Sequence, residues 1–210
     1  MEKPIIILGT NTLARTALAI FQKNGVLVYG LLAEDTVLQH QEINHIPILG
    51  TLADEQYLEL LGRDCEAFVA LNSDASRQQW IATLLEQRQL TPVNAMHPSA
   101  ILADSVSMGH GNLVNVGVSL GPGVTLGNHC IIQTHAILEQ EAVIKDFVQV
   151  GAGSIIGTQA VIEDHVFIGI GATLIAGIQV GSGASIGAGS VVLEHVKPGT
   201  KVLGNPAKLF

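Results

Sequence analysis

Charged residues are scarce in this chain of 210 residues. They make up 13% of it, against 48% hydrophobic and 4% aromatic residues, whereas average proteins carry about 25% charged residues. This composition excludes intrinsic disorder. The net charge is −8 and Lys and Arg form no cluster, which argues against nucleic acid or an anionic membrane as the main partner.

Long apolar runs and cysteine pairs are also missing. Residues 105–138 contain no charged side chain, but Gly, Asn, His and Gln interrupt them, whereas a membrane-spanning helix needs about 20 predominantly apolar residues. The N-terminal run IIIL is too short for the core of a signal peptide. Cys65 and Cys130 form no CxxC motif and no disulfide framework. We therefore expect a cytoplasmic protein with no membrane segment.

Glycine divides the chain into two halves, because only five of the 23 glycines precede His97. In the first half an apolar run at 5–8, a helical pattern at about 13–23 and a second apolar run at 26–32 form a βαβ pattern. Further elements are predicted as a short strand at 46–50, a helix near 54–61, a strand at 67–71 and a helix at about 76–89. This alternation predicts a small α/β domain with a parallel sheet.

The second half repeats with a period of six. Every sixth residue from Leu102 to Val192 is aliphatic, and the residue four places later is mostly small or β-branched, with Asn112 as the plain exception. A period of six fits short strands separated by turns, three of which close a triangular coil of eighteen residues. Such coils stack at the strand spacing of about 4.8 Å. Glycines directly after the aliphatic residue, such as Gly121 and Gly151, are expected at corners that need tight backbone or a positive φ.

With these features the chain resembles the left-handed β-helix acyltransferases built on the hexapeptide repeat. Within them it is similar to bacterial sugar acetyltransferases of the sialic acid O-acetyltransferase and UDP-bacillosamine N-acetyltransferase type. The resemblance covers IIILGTNTLA, the junction HPSAIL, the repeat and the closing GNPAKLF. It implies a Rossmann-like α/β substrate-binding domain at 1–96 and a left-handed parallel β-helix at 97–210. The left hand is taken from the family, since connection rules favour right-handed crossovers.

The resemblance also implies an activity. Its members are homotrimers that transfer acetyl from acetyl-CoA to an amino or hydroxyl group of a sugar or nucleotide-sugar, in surface polysaccharide or glycan assembly. No metal is needed, because a base removes the proton of the acceptor and backbone N–H groups stabilise the oxyanion. The positions expected to bind CoA are Gln149, Gly151, Gly169, Ala176, Gly187 and Lys208.

The loop after the first strand is expected to help hold the nucleotide-sugar. Gly9, Asn11 and Ala14 stand where a dinucleotide fingerprint has three glycines, so NAD is not expected to bind. Gly9, Asn11 and Asp35 are the candidate substrate-binding residues.

The catalytic stretch of the family falls on 138–141 and places Gln140 at the position of the histidine base. An amide cannot accept a proton near neutral pH. Gln149 likewise occupies the position of a second histidine of the family.

Three hypotheses follow for the catalytic base. His135 is the base, although within one subunit it lies one triangle side away, roughly 15 Å; Glu141 is the base, if burial raises its pKa; or the chain is a non-catalytic or regulatory homologue.

A γ-class carbonic anhydrase, which uses the same prism, is a remote alternative. It needs three histidines that converge on zinc, and His129 and His165 are expected at one corner about 10 Å apart with Phe147 between them, too far to share an ion at about 2 Å. His110 and His195 are expected at the surface. We therefore predict no metal site.

Overall fold

The computed structural model describes residues 3–38, 41–71 and 73–210. The chain separates into two compact units, residues 1–95 and 96–210. Within the described residues, no helix has the length and apolar character required to cross a membrane.

The first unit is built on a mostly parallel sheet with helices between its strands. The sheet order is β3-β4-β2-β1-β5, with β3 antiparallel to β4 and the other pairs parallel. Its elements are β1 (Ile5–Leu8), α1 (Thr12–Lys23), β2 (Val28–Ala33), a 3₁₀ turn (Thr36–Leu38), β3 (Glu42–Ile43), β4 (Ile46–Thr51), α2 (Glu55–Leu58), β5 (Glu66–Val69) and α3 (Asp74–Arg88). All four residues of β1 are buried, as a strand covered on both faces requires.

One predicted element of this unit is shorter than expected. The helix predicted over 54–61 is the single turn α2, because the chain leaves the helix to form a parallel bridge between Leu61 and Cys65. Gly62, at a φ of +83°, makes the turn between these two residues.

The second unit is a coil of very short strands, the first of which begins at Ala95, the last residue of the first unit. Its elements are β6 (Ala95–Met96), β7 (Ile101–Leu102), β8 (Ser107–Met108), β9 (Leu113–Val114), β10 (Ser119–Leu120), β11 (Thr125–Leu126), β12 (Ile131–Ile132), β13 (Ile137–Leu138), β14 (Val143–Ile144), β15 (Gln149–Val150), β16 (Ile155–Ile156), β17 (Val161–Ile162), β18 (Phe167–Ile168), β19 (Thr173–Leu174), β20 (Gln179–Val180), β21 (Ser185–Ile186), β22 (Val191–Val192), β23 (Lys201–Gly204) and β24 (Ala207–Leu209).

These strands form the three sides of a prism. From β6 to β22 each strand pairs in parallel with the third strand after it, so the sheets run β7-β10-β13-β16-β19-β22, β8-β11-β14-β17-β20 and β6-β9-β12-β15-β18-β21. The last of these sheets continues with β23, parallel to β21, and with β24, antiparallel to β23. The register is eighteen residues, as in Ile137 opposite Ile155. The second residue of each strand from β7 to β22 belongs to the aliphatic period, and from Val114 onward all of these side chains are buried. The predicted β-helix is therefore confirmed.

The corners differ from the prediction in one respect. Glycines directly after the aliphatic residue do not adopt the left-handed conformation. Glycine is needed at these positions because the backbone of the next coil leaves no space for a side chain. A Cβ on Gly151 would come within 2.5 Å of the Ile170 nitrogen. The positive φ lies two residues later, at Gly153 for example, and six such positions hold other residues: His129, His135, Glu141, Phe147, Gln159 and His165.

Asn112, the exception in the second repeat column, is fully buried and has its own hydrogen bonds. Its Nδ2 donates to the Gly127 carbonyl at 2.9 Å, and its Oδ1 accepts from the Cys130 backbone N–H at 2.7 Å. The side chain thus pairs two backbone groups of the next coil.

We expect Asn112→Val to destabilise the protein although valine restores the repeat pattern. The substitution leaves the Cys130 N–H and the Gly127 carbonyl without this partner, at about 1–3 kcal/mol for each buried group. Urea unfolding should show a net loss of about 2 kcal/mol, whereas the exposed Ser107→Ala should change stability by less than about 0.5 kcal/mol. Equal or higher stability of Asn112→Val would contradict this account.

Candidate active site

One corner of the prism brings together three polar side chains, Gln140, Glu141 and Gln159, which we call the amide–carboxylate cluster. Glu141 and Gln159 occupy the same corner position in successive coils, with φ values of 57° and 58°. Their backbone N–H groups donate to the preceding coil, at Pro122 and Gln140 respectively. A left-handed conformation costs a residue with a Cβ roughly 1–2 kcal/mol, and such positions concentrate at functional sites.

The carboxylate of Glu141 accepts a hydrogen bond on each of its oxygens. Gln159 Nε2 donates to Oε2 at 2.8 Å, and Gln140 Nε2 donates to Oε1 at 3.1 Å. These bonds, chiefly the one from Gln159, lower the pKa of Glu141, since they favour the charged form. A base at Glu141 would require a raised pKa, whereas in this chain the residue is exposed and its pKa is shifted in the opposite direction.

The cluster fixes the orientation of the Gln140 amide. An ionised carboxylate only accepts hydrogen bonds, so the NH₂ groups of both glutamines must turn toward Glu141. The Oε1 atom of Gln140 then points away from the carboxylate, and the residue is exposed. At the position of the predicted base the chain presents a hydrogen-bond acceptor.

His135 lies at a different corner from Gln140. It occupies the turn before β13, while Gln140 occupies the turn after it. Its φ is 57°, and its imidazole fills the space that a side chain on Gly117 would take in the preceding coil. Because the two residues lie at different corners, one subunit does not bring His135 to the cluster. The His135 side chain is exposed.

A cleft of about 330 Å³ lies on the sheet side that contains β12, β15 and β18. Gln149 and Gly151, two of the residues predicted to bind CoA, line it together. Phe167 and Ile170 add apolar surface and are 48% and 66% exposed. The remaining lining residues are Ile131, Gln133, Val150 and Ala152. Sequence reasoning missed most of them, although the outward first residue of successive strands in this column is a usable signal.

The other positions predicted to bind CoA do not line this cleft. Gly169 and Gly187 are required by packing, since a Cβ would meet the Ala188 nitrogen at 2.5 Å and the Leu203 Cβ at 2.8 Å. Ala176 is exposed elsewhere. Lys208 lines a second cleft of about 250 Å³, whose polar members also include Glu194, His195, Lys197 and Thr200.

The predicted substrate loop of the first unit follows β1. A Cβ on Gly9 would collide with the Ala70 carbonyl, so this position requires glycine. Asn11 begins α1 as its N-cap: Oδ1 accepts from the Ala14 N–H at 2.9 Å, and Nδ2 donates to the Ala70 carbonyl at 2.8 Å. Its amide therefore ties the loop after β1 to the loop after β5. Asp35 is exposed and follows β2, the parallel neighbour of β1.

Three histidines and one phenylalanine form a column of aromatic rings at one corner. His129 stacks on Phe147 with centroids 5.0 Å apart, Phe147 stacks on His165 at 5.1 Å, and His110 meets His129 edge to face at 4.9 Å. His110, predicted at the surface, is half-buried, with its Nδ1 covered. In the part of the chain that the structure describes, no three His, Cys, Asp or Glu side chains could hold a metal ion.

We expect Gln159→Gly to raise the pKa of Glu141 toward its ordinary value. Glycine suits the left-handed backbone, so the variant removes the hydrogen bond to Oε2 without strain. Because the pKa is lowered in the folded wild type, its contribution to stability is present above the ordinary glutamate pKa and is lost as the pH falls through the lowered one. Carboxyl ¹³C NMR titration measures the shift. An unchanged pKa, matching that of the exposed control Gln179→Ala, would contradict the cluster.

Comparisons with known proteins agree with this architecture. Residues 159–194 match the family described as bacterial transferase hexapeptide (six repeats). No curated protein gives a match by sequence.

Solved structures match over the full length. A histidine-to-alanine mutant of GDP-perosamine N-acetyltransferase from Caulobacter crescentus, in complex with CoA and GDP-perosamine, is 25% identical with a TM-score of 0.90, covering 100% of this chain and 98% of that chain. The acetyltransferase domain of PglB from Neisseria gonorrhoeae FA1090, in complex with acetyl coenzyme A, is 23% identical at 0.88, covering 100% of each. WeeI from Acinetobacter baumannii AYE is 23% identical at 0.80, covering 99% of each. The predicted resemblance to hexapeptide-repeat sugar acetyltransferases is therefore confirmed.

Proposed function

We propose that the chain is an acetyl-CoA-dependent acetyltransferase that modifies a sugar or nucleotide-sugar in surface polysaccharide or glycan assembly. The observation that carries this is the full-length match, at 25% identity and a TM-score of 0.90, to a GDP-perosamine N-acetyltransferase that holds CoA and GDP-perosamine. The same match favours an amino group over a hydroxyl as the acceptor.

The cleft beside Gln149 suits the pantetheine arm of acetyl-CoA. An apolar wall containing Phe167 and Ile170 can bury its methylene groups, which releases about 25 cal/mol for each Å² removed from water. The side-chain amides of Gln133 and Gln149, both lining the cleft, can pair with the two amide groups of the arm. Lys208, in the second cleft, carries the charge that suits a phosphate of CoA.

The first unit is proposed as a Rossmann-like domain that binds the nucleotide-sugar. Its parallel strands β1 and β2 end at one edge of the sheet, where Gly9 and Asp35 follow them. Ligands of open α/β sheets bind at this edge. Asp35 is placed to accept hydrogen bonds from a ribose or base, while Asn11 keeps the loop closed through Ala70.

We propose a homotrimer because one prism does not complete the site. The amide–carboxylate cluster follows β13, whereas the cleft lies on the side formed by β12, β15 and β18. A second copy is needed to bring a base position and a bound thioester to one acetyl group. Cyclic closure of three prisms does this with one repeated interface.

A non-catalytic homologue is the second candidate, and Gln140 is the observation that favours it. An amide at the base position abolishes proton removal by that residue. Such a protein would keep the fold and bind acetyl-CoA without turning it over, so binding and turnover must be measured separately.

We expect the protein to release CoA from acetyl-CoA when a nucleotide-linked amino sugar is supplied, as followed with a thiol reagent. Ala152→Phe should fill the cleft and raise the KM for acetyl-CoA about tenfold or more, because the pantetheine arm then loses its contacts with the cleft wall. Ala19→Phe, an exposed substitution on α1, is the matched control. A rise in Tm with acetyl-CoA but no CoA release with any amino sugar would support the non-catalytic homologue.

We expect light scattering at micromolar concentration to give three times the mass of the chain. The trimer should persist at 1 M salt, since burial of apolar surface is not screened by ions. A single-chain mass under both conditions would contradict the shared site.

A further inference from the structure

The amide–carboxylate cluster holds Gln140 in one orientation through two bonds on opposite sides of a carboxylate. Gln159 donates to one oxygen of Glu141 and Gln140 to the other. Gln159 comes from the next coil, and its backbone N–H also donates to the carbonyl of Gln140 at 2.9 Å. Gln159 therefore contacts both other members, and no family motif assigned it a role.

A fixed amide oxygen has a limited chemistry. It accepts a hydrogen bond from an N–H or O–H group, but it does not take the proton near neutral pH. A hydroxyl acceptor must lose its proton as it attacks the thioester, which requires a base. A neutral amine already carries a free lone pair, and needs only to be oriented toward the carbonyl carbon.

We propose that Gln159 and Glu141 are positioning residues that hold the Gln140 amide oxygen as a hydrogen-bond acceptor for the attacking amine, and that no side chain acts as a base. This rests on the proposed function and narrows the acceptor to an amino group. The amine nitrogen bonds to the acetyl carbon, the carbon–sulfur bond breaks, and the electron pair leaves with sulfur. The proton lost by nitrogen goes to the CoA thiolate, directly or through water, so the products are the amide and CoA thiol.

The role of Gln159 is tested by variants that keep or remove its donor. Gln159→Glu preserves size but cannot donate to Glu141 when ionised, and should lower kcat about tenfold, the effect of losing one hydrogen bond, with the KM for acetyl-CoA within about twofold. Gln159→Lys keeps a hydrogen-bond donor to Glu141, so its kcat should stay close to that of the wild type. Gln179→Glu, an exposed glutamine on β20, makes the same charge change away from the cluster and should match wild type.

The acceptor chemistry is tested with two nucleotide-sugars that differ only in an amino or a hydroxyl group. The wild type should acetylate the amine alone, and the pH at which kcat/KM levels off should move with the pKa of the amine when a second amino sugar is used. Gln140→His should gain turnover of the hydroxyl compound, because the imidazole lies beside Glu141 and can take the proton.

Three results would overturn the proposal without touching the proposed function. They are equal kcat in wild type and Gln159→Glu, equal turnover of amine and hydroxyl by the wild type, and a hundredfold or larger loss in His135→Ala, which would assign proton removal to that imidazole. Absence of turnover by the wild type with every acceptor would overturn the proposed acetyltransferase, and this mechanism with it.

Discussion

The stacking of coils at a register of eighteen residues is the constraint on which the second unit depends. Each inward aliphatic residue packs between equivalent residues of the coils above and below, so one column from Val114 to Val192 is buried throughout. The constraint extends to the corners, where Gly151 and Gly157 leave no room for a Cβ beneath the next coil. Function is therefore confined to outward side chains and to corner positions that stacking leaves open.

The left-handed corner residues are the largest of these open positions. A side chain there extends over the preceding coil, so it needs a glycine or a stacking partner beneath it. His135 lies over Gly117 and Glu141 over Gly123, whereas Phe147 stacks with His129 and His165. The same backbone conformation thus supports an aromatic column at one corner and a hydrogen-bonded carboxylate at another.

The sequence predicted the prism well because burial sets its period, and the aliphatic residue at every sixth position from Leu102 to Val192 records that period directly. It predicted the site less well, since contacts across eighteen residues depend on side-chain direction. The hydrogen bond between Gln159 and Glu141 joins residues eighteen positions apart, so the linear motif did not predict it. Close packing of the coils already requires glycine at Gly169 and Gly187, so the residue type at these positions does not by itself indicate a contact with CoA. Of the two reasons expected for a glycine directly after the aliphatic residue, the structure shows the close approach of the next coil, while the positive φ lies two residues later.

The replacement of a base by an amide need not remove activity when the acceptor supplies its own lone pair. The site must then orient the attacking amine, and its own side chains must need little reorganisation on binding. Both requirements are met by the stacked coils of the prism. Two successive coils hold Glu141 and Gln159 at fixed separation through backbone bonds, and the Glu141 carboxylate accepts from the side chains of Gln159 and Gln140. Under the proposed mechanism, preorganisation of this kind would act on the attack itself, while the cleft lined by Gln149 and Gly151 would supply most of the binding of acetyl-CoA.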